Sequence, residues 1–215
     1  MTATPRPMFP LESVLLPGAL LPLHVFEPRY RALVRDCIDA DGTFGVVLIE
    51  RGSEVGGGDV RTDVGTLARI IRVEELPDGR FGVMAVGVRR VRVESWLPDD
   101  PYPRAEVADW PDDEDEPGER DAVLAALAEG GDVLALLRRA AALRAELGDV
   151  GALPADLRLA DDPAAASYQA VALAPLGPAD RQELLAAPSP AARVRALREA
   201  LPDAITMLEA LLAGR

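Results

Sequence analysis

Hydrophobic and polar residues follow two different patterns along the chain, and the change falls near residue 111. Before it, short apolar runs rich in Val, Ile and Phe are bounded by Gly, Pro or Asp, which is typical of β-strands. The predicted strands cover residues 8–11, 20–26, 44–49, 63–76, 80–96 and 104–110. One helix is predicted among them, because Pro28 suits a first helical position and apolar residues follow at helical spacing. These are Tyr30, Leu33, Val34, Cys37 and Ile38.

Beyond residue 118 the apolar positions are mainly Ala and Leu, and they recur every three or four residues, as in amphipathic helices. Gly and Pro residues mark the expected helix ends. The predicted helices cover residues 119–129, 132–148 and 163–173, a segment from 178, and a last segment from 190. Asp132 is expected to cap the second of them, and Pro202 is expected to kink or split the last one.

Two features of the first half indicate strands that turn sharply. Pro77-Asp78-Gly79 between two apolar runs predicts a hairpin turn, because proline fixes one backbone angle and glycine accepts a positive φ. Gly87 interrupts a long strand and predicts a bulge or bend. Six strands bent in this way favour a small, partly closed barrel over a parallel sheet. The predicted fold class is therefore α+β, with a barrel at residues 1–111 and a helical bundle at 119–215.

The segment between these parts, residues 112–118, is acidic and contains Pro and Gly, so we expect a solvated linker. The run Asp112 to Glu116 lacks the spacing of a calcium-binding loop. A second flexible segment is predicted at residues 51–62, where Gly56-Gly57-Gly58 lacks the strand and helix context of a phosphate-binding loop.

Charge and rare residues narrow the chemistry further. Acidic residues outnumber basic ones 36 to 23, which gives a net charge of −13 and argues against a nucleic-acid partner. The chain contains no Lys, one Cys and one His. A phosphate-binding loop that requires Lys, a Schiff base and a Ser–Lys pair are thus excluded. We expect no catalytic residue, no cofactor and no metal site. No apolar run is long enough to span a membrane, and a cytoplasmic location is expected.

Several ordered motifs resemble the amino-terminal domain of Lon proteases. The longest runs from Phe9-Pro10-Leu11 to the segment Pro22-Leu-His-Val-Phe-Glu-Pro-Arg-Tyr30. Further similar segments follow in the same order: Phe44 to Val47, Val64 to Ile70, Leu76 to Gly79, Gly87 to Val91, Leu173 to Leu176 and Arg181 to Leu185. The chain is thus identified as resembling a standalone member of this substrate-binding domain family.

The resemblance implies a PUA-like β pseudo-barrel followed by a helical bundle. It also implies a non-catalytic module that engages unfolded or partner proteins or peptides as an adaptor or regulator of proteolysis, and that allows self-association. The ATPase and protease modules of the full-length proteases need Lys, which this chain lacks. Two alternatives remain: a PUA-like nucleic-acid-binding protein, and a cysteine hydrolase that uses Cys37 and His24. Against the first, Arg89, Arg90 and Arg92 are expected to pair with Glu74, Glu75 or Glu94 across the hairpin.

Aromatic residues are rare, at 4% of the chain, and three of them flank a Pro-rich loop where barrel and bundle meet. Such residues either wedge two parts together or form a groove for apolar segments of a partner. The predicted partner-binding groove is lined by Trp96, Tyr102 and Trp110, with Phe26 and Tyr30 at its base.

Overall fold

The computed structural model describes residues 4–52, 60–114, 116, 118–149 and 152–214. The chain divides into two compact units, Met1–Pro111 and Asp112–Arg215, here called the barrel unit and the helical unit. The predicted loop glycines Gly56 to Gly58 lie outside the described residues.

The barrel unit contains six strands and one helix, which confirms the predicted α+β class. The strands are β1 (Thr4–Leu11), β2 (Leu20–Val25), β3 (Thr43–Arg51), β4 (Val60–Glu75), β5 (Phe81–Leu97) and β6 (Arg104–Asp109), and the helix is α1 (Pro28–Asp39). The sheet order is β2-β5-β4-β3-β1-β6, and β5 also pairs with β6. That pairing closes a ring of five strands, with β2 attached beside it. All pairings are antiparallel except β1 with β3.

Besides its pairing with β4, the long strand β5 pairs first with β2 and then with β6, and Gly87 allows this change of partner. Residues 81–86 of β5 pair with β2, whereas residues 91–97 pair with β6. Next to Gly87, Leu67 and Ala68 of β4 face Arg89 and Gly87, so Val88 is an extra residue and the predicted bulge is confirmed. A Cβ atom at Gly87 would lie 2.3 Å from the Leu16 carbonyl oxygen. Only glycine allows the chain before β2 to approach β5 so closely.

The hairpin between β4 and β5 also follows the prediction. Gly79 has a φ of +77°, and the Gly79 N–H donates to the Leu76 carbonyl at 2.8 Å. Inside the barrel unit, α1 packs its apolar side on the strands through Tyr30, Leu33, Val34 and Cys37. The Tyr30 ring stacks on Phe9, with ring centroids 4.2 Å apart.

The helical unit contains α2 (Glu119–Leu127), α3 (Asp132–Leu147), α4 (Pro163–Leu173), α5 (Pro178–Ala186) and α6 (Pro190–Ala213). Prolines occupy the first turn of α4, α5 and α6, where their missing N–H costs no helical hydrogen bond. Asp162 and Ser189 cap α4 and α6 by accepting from main-chain N–H groups. The N-cap of α3 is Gly131 rather than Asp132, and α6 continues through Pro202 without splitting.

A buried arginine organises the interior of the helical unit. Arg193 on α6 is 0% exposed, and its guanidinium donates to both carboxylate oxygens of Asp112, at 2.6 and 3.2 Å. It also donates to Ser167 Oγ and Tyr168 Oη, both at 2.8 Å, and to the Leu184 carbonyl at 3.0 Å. At its first residue, the segment 112–118 therefore differs from the predicted solvated linker, because Asp112 pairs with the buried Arg193 guanidinium.

In the described part of the chain, no helix combines the length and the apolar character needed to cross a lipid bilayer.

Candidate functional site

Strand β2 presents two chemically similar faces with different exposure. Leu21, Leu23 and Val25 point toward the barrel core, whereas Leu20, Pro22 and His24 point outward and are exposed. A half-buried strand normally alternates apolar and polar residues, but here two of the three outward residues are also apolar. The outward side of β2 therefore offers apolar surface to a partner.

Strand β5 extends this surface. Leu20 pairs with Val86, and Pro22 pairs with Met84, so the four side chains lie on one outer face of the barrel unit. Leu20 is 63% exposed, and Met84 and Val86 are half-buried. We call Leu20, Pro22, Met84 and Val86 the β2–β5 apolar face.

A cavity of about 190 Å³ lies beside β2. Its lining combines the end of β1, the second half of β2 and the start of α1: Phe9, Leu11, Pro22, Leu23, His24, Val25, Phe26, Glu27 and Tyr30. Most of these residues are apolar, and Phe26 at the rim is 55% exposed. The cavity is thus suited to an apolar side chain of a partner.

Charges of both signs border these surfaces. On β4, Arg69 pairs with Val86 and Arg72 pairs with Met84, next to the β2–β5 apolar face. Arg72 in turn lies 3.6 Å from the Glu74 carboxylate. At the cavity, the Arg29 Nε donates to Glu27 Oε2 at 3.1 Å. Mixed charges around an apolar centre resemble the polar rim of many protein interfaces.

Two of the predicted groove residues belong to the barrel core. Tyr30 is 4% exposed and Tyr102 is 7% exposed, and both pack in the same apolar cluster. The Tyr102 hydroxyl donates to the Asp36 carboxylate at 2.6 Å. Burial and this hydrogen bond raise the pKa of Tyr102 to about 12. The Tyr102 hydroxyl therefore has its hydrogen-bond partner within the barrel unit.

The two tryptophans lie at opposite ends of β6. Trp96 pairs with Ala105 near its beginning, whereas Trp110 directly follows its last residue. The Arg61 guanidinium lies over the Trp96 ring at 4.5 Å, and Arg90 lies over the Trp110 ring at 4.2 Å. The structure thus brings Phe26 and Tyr30 together at one cavity, but it separates Trp96 from Trp110. Partner binding at the tryptophans stays a prediction.

The β2–β5 apolar face was not singled out from the sequence. The sequence alone does not distinguish this face from the rest of the strand, because an apolar run such as Leu20-Leu21-Pro22-Leu23 does not show which side chains point outward. Two signals were available: the period of two along β2, and Pro22, which marks a strand edge.

The cysteine of the alternative hydrolase function, Cys37, lies in the core of the barrel unit. Cys37 is buried, its Sγ donates to the Thr43 carbonyl at 3.3 Å, and burial and the nearby Asp41 and Asp36 raise the pKa of its thiol to about 12. A thiol of this kind is not ionised near neutral pH and is a poor nucleophile.

The described contacts of Arg89, Arg90 and Arg92 are with residues at the end of β6 and not with the predicted Glu74, Glu75 or Glu94, and the Arg92 guanidinium lies over the Trp110 ring at 4.9 Å. Arg89 Nε lies 2.6 Å from Asp109 Oδ1, and Arg90 donates to the carbonyls of Trp110 and Pro111. In the part of the chain that the structure describes, no group of three or more His, Cys, Asp and Glu residues is arranged to hold a metal ion.

Comparison with known proteins points to one family. The family described as ATP-dependent protease La (LON) substrate-binding domain matches residues 5–203. Lon protease 2 of Herpetosiphon aurantiacus is 32% identical over 97% of this chain, which corresponds to 25% of that protein. The chain matches an eighth to a quarter of the length of such relatives.

Solved structures agree with the sequence comparison. A Lon N-terminal domain protein from Xanthomonas campestris is 32% identical, with a TM-score of 0.62, over 92% of this chain and 98% of that chain. The N-terminal domain of the Mycobacterium avium complex Lon protease has a TM-score of 0.63 over 93% and 99% of the two chains. At 20% identity, this second likeness concerns the fold alone.

Proposed function

Because the chain belongs to the LON substrate-binding domain family, we propose that it is a non-catalytic module that binds unfolded proteins through the β2–β5 apolar face and the adjoining cavity. The observation that carries this proposal is the exposure of Leu20 on the β2–β5 apolar face and of Phe26 at the cavity, which Pro22 joins to that face. Unfolded proteins expose apolar segments, and such segments bind where they remove apolar surface from water.

The module acts as an adaptor or regulator of proteolysis in the cytoplasm, and it delivers or withholds partner proteins without cleaving them. Two observations support the absence of catalysis by this chain. Its sequence has no Lys for an ATP-binding loop or a Ser–Lys pair, and its single thiol has a raised pKa. The internal contacts of Arg89 and Arg90, together with the net charge of −13, speak against the nucleic-acid alternative.

A binding titration tests the proposal. The probe is fluorescently labelled α-lactalbumin that has been reduced and carboxymethylated, so that it stays unfolded. We expect Leu20→Ser combined with Met84→Ser to weaken binding by about tenfold, the effect of losing a modest hot spot. The matched control is Ile38→Ser, which removes an exposed isoleucine on α1, outside the β2–β5 apolar face.

Equal affinities for the double variant and the control would contradict the proposed surface. The same titration with a labelled single-stranded RNA is expected to show no binding at physiological salt. Salt-dependent binding of the RNA, with none of the unfolded protein, would favour the alternative function instead.

A further inference from the structure

In the described part of the barrel unit, one strand has an unpaired edge. Among the described residues, β2 pairs with β5 alone, whereas every other strand of the barrel unit has at least two neighbours. An edge strand presents a row of main-chain N–H and C=O groups that can pair with another extended chain. The edge of β2 is therefore a binding surface of a different chemical kind from the apolar face beside it.

The direction of the main-chain groups of β2 can be followed from one hydrogen bond. The Ala19 carbonyl accepts from the Gly87 N–H at 2.9 Å, so this carbonyl points toward β5. Main-chain groups alternate along a strand, so Leu21 and Leu23 also face β5, and the opposite edge belongs to Leu20, Pro22 and His24. Proline is tolerated where its missing donor would face an unpaired edge, which is where Pro22 lies.

This edge offers two donors, the N–H groups of Leu20 and His24, and the carbonyls of both residues and of Pro22. The cavity of about 190 Å³ lies beside it, and Pro22 and His24 belong to its lining. A chain added along β2 would thus have a hydrogen-bonding track and a neighbouring site for one apolar side chain.

We propose that the free edge of β2 binds an extended segment of an unfolded protein as an additional strand, with one apolar side chain of that segment in the cavity. This inference rests on the proposed function and specifies how the partner is held. An unfolded chain suits the edge because its own main-chain groups are not yet paired. Main-chain pairing accepts many sequences, and the cavity adds a preference for apolar residues.

The first test removes one donor from the edge. The probe is a labelled peptide of about ten residues with alternating Val and Thr, long enough to form one strand. His24→Pro deletes the outward N–H without removing a group that faces β5, and we expect it to weaken binding about three- to tenfold, as for one lost hydrogen bond. The matched reference is His24→Ala, which removes the same side chain from the cavity lining but keeps the N–H, and His24→Pro should bind about three- to tenfold more weakly than His24→Ala.

Equal affinities for His24→Pro and His24→Ala, in proteins with matching circular dichroism spectra, would overturn the inference. A second measurement uses the unmodified protein and therefore does not depend on how the variants fold. Two versions of the peptide carry N-methyl groups on alternate amides, one on the Val amides and the other on the Thr amides. An added strand uses only one of these sets to pair with β2, so one version should lose binding and the other should retain it.

The outcomes separate the inference from the function on which it rests. If both methylated peptides bind as well as the parent peptide, side chains alone hold the partner, and the inference fails while the proposed function stands. If neither the parent peptide nor unfolded α-lactalbumin binds, the proposed function fails as well. If sedimentation shows a dimer that His24→Pro dissociates and the peptide does not, a second copy of the chain occupies the edge, which also overturns the inference.

Discussion

Arg90 in the barrel unit and Arg193 in the helical unit are both buried, and their described hydrogen-bond partners differ in kind. Arg90 donates to main-chain carbonyls of Trp110 and Pro111 and lies over the Trp110 ring. Arg193 faces a carboxylate, two hydroxyls and a carbonyl. A main-chain carbonyl that loses a donor costs about 1–3 kcal/mol, whereas a carboxylate that loses a buried cation costs more. The helical unit should therefore be more sensitive to the loss of its arginine.

The largest effect is expected for Arg193→Met. The change removes the buried guanidinium that pairs with the half-buried Asp112 carboxylate, and we expect the free energy of unfolding of the helical unit to fall by about 3–5 kcal/mol. Urea denaturation followed by circular dichroism at helical wavelengths measures it. The matched control is Arg195→Met, two residues further along α6, whose exposed pair with Glu119 should contribute less than about 1 kcal/mol.

Adding Asp112→Asn to Arg193→Met tests the stated cause. Removing the second charge should recover part of the lost stability, because the carboxylate that Arg193 balanced is then neutral. Additive losses would show that Arg193 acts mainly through Ser167, Tyr168 and the Leu184 carbonyl.

A smaller effect is expected for Arg90→Met in the barrel unit. The main-chain carbonyls of Trp110 and Pro111 lose a donor and the Trp110 ring loses the guanidinium above it, so we expect a loss of about 1–3 kcal/mol. Tryptophan fluorescence during urea denaturation measures it, with Arg92→Met as the control, since Arg92 is exposed and also lies over the Trp110 ring. A loss equal to that of Arg193→Met would remove the proposed difference between the two units.

The smallest effect concerns a neutral donor that faces a carboxylate in the barrel unit. Tyr102→Phe removes the hydrogen bond to Asp36 and should lower the free energy of unfolding by about 0.5–1.5 kcal/mol at pH 7. The folded-state pKa of Tyr102 is raised from 10.0 to about 12, so this contribution is present below pH 10 and is lost as the pH rises toward 12. The unfolding free energies of the two proteins should converge between pH 10 and pH 12. A difference that stays constant over this pH range would contradict the assignment.

Local signals predicted most elements of the fold. Pro28, Pro163, Pro178 and Pro190 marked helix starts and Gly79 marked the hairpin, because these residues act through their own backbone angles. Gly87 marked the bulge, because it lacks a side chain where another part of the chain comes close. The sheet order, the parallel pairing of β1 with β3 and the ring closure by β5 and β6 were not predicted. They depend on contacts between distant residues, which a single sequence does not reveal.

The candidate site was predicted only in part, for the same reason. Phe26 and Tyr30 were singled out as aromatic and do line one cavity, but the exposed Leu20 depends on which face of β2 meets the core. The two tryptophans were grouped because they are close in sequence, yet they lie at opposite ends of β6. The burial of Arg193 follows from Asp112, Ser167 and Tyr168, which lie 25 to 81 positions away along the chain.

The pairing of β1 with β6 affects how the barrel unit folds during synthesis. Thr4 faces Val107 and Pro7 faces Arg104, so the first strand completes its pairing only with the last one. A ribosome must therefore produce nearly the whole unit before the ring can close. Contacts between such distant residues slow folding, because a long loop must close before they form. During that interval the apolar strands of the nascent chain remain open to the same kind of partner that the folded protein is proposed to bind.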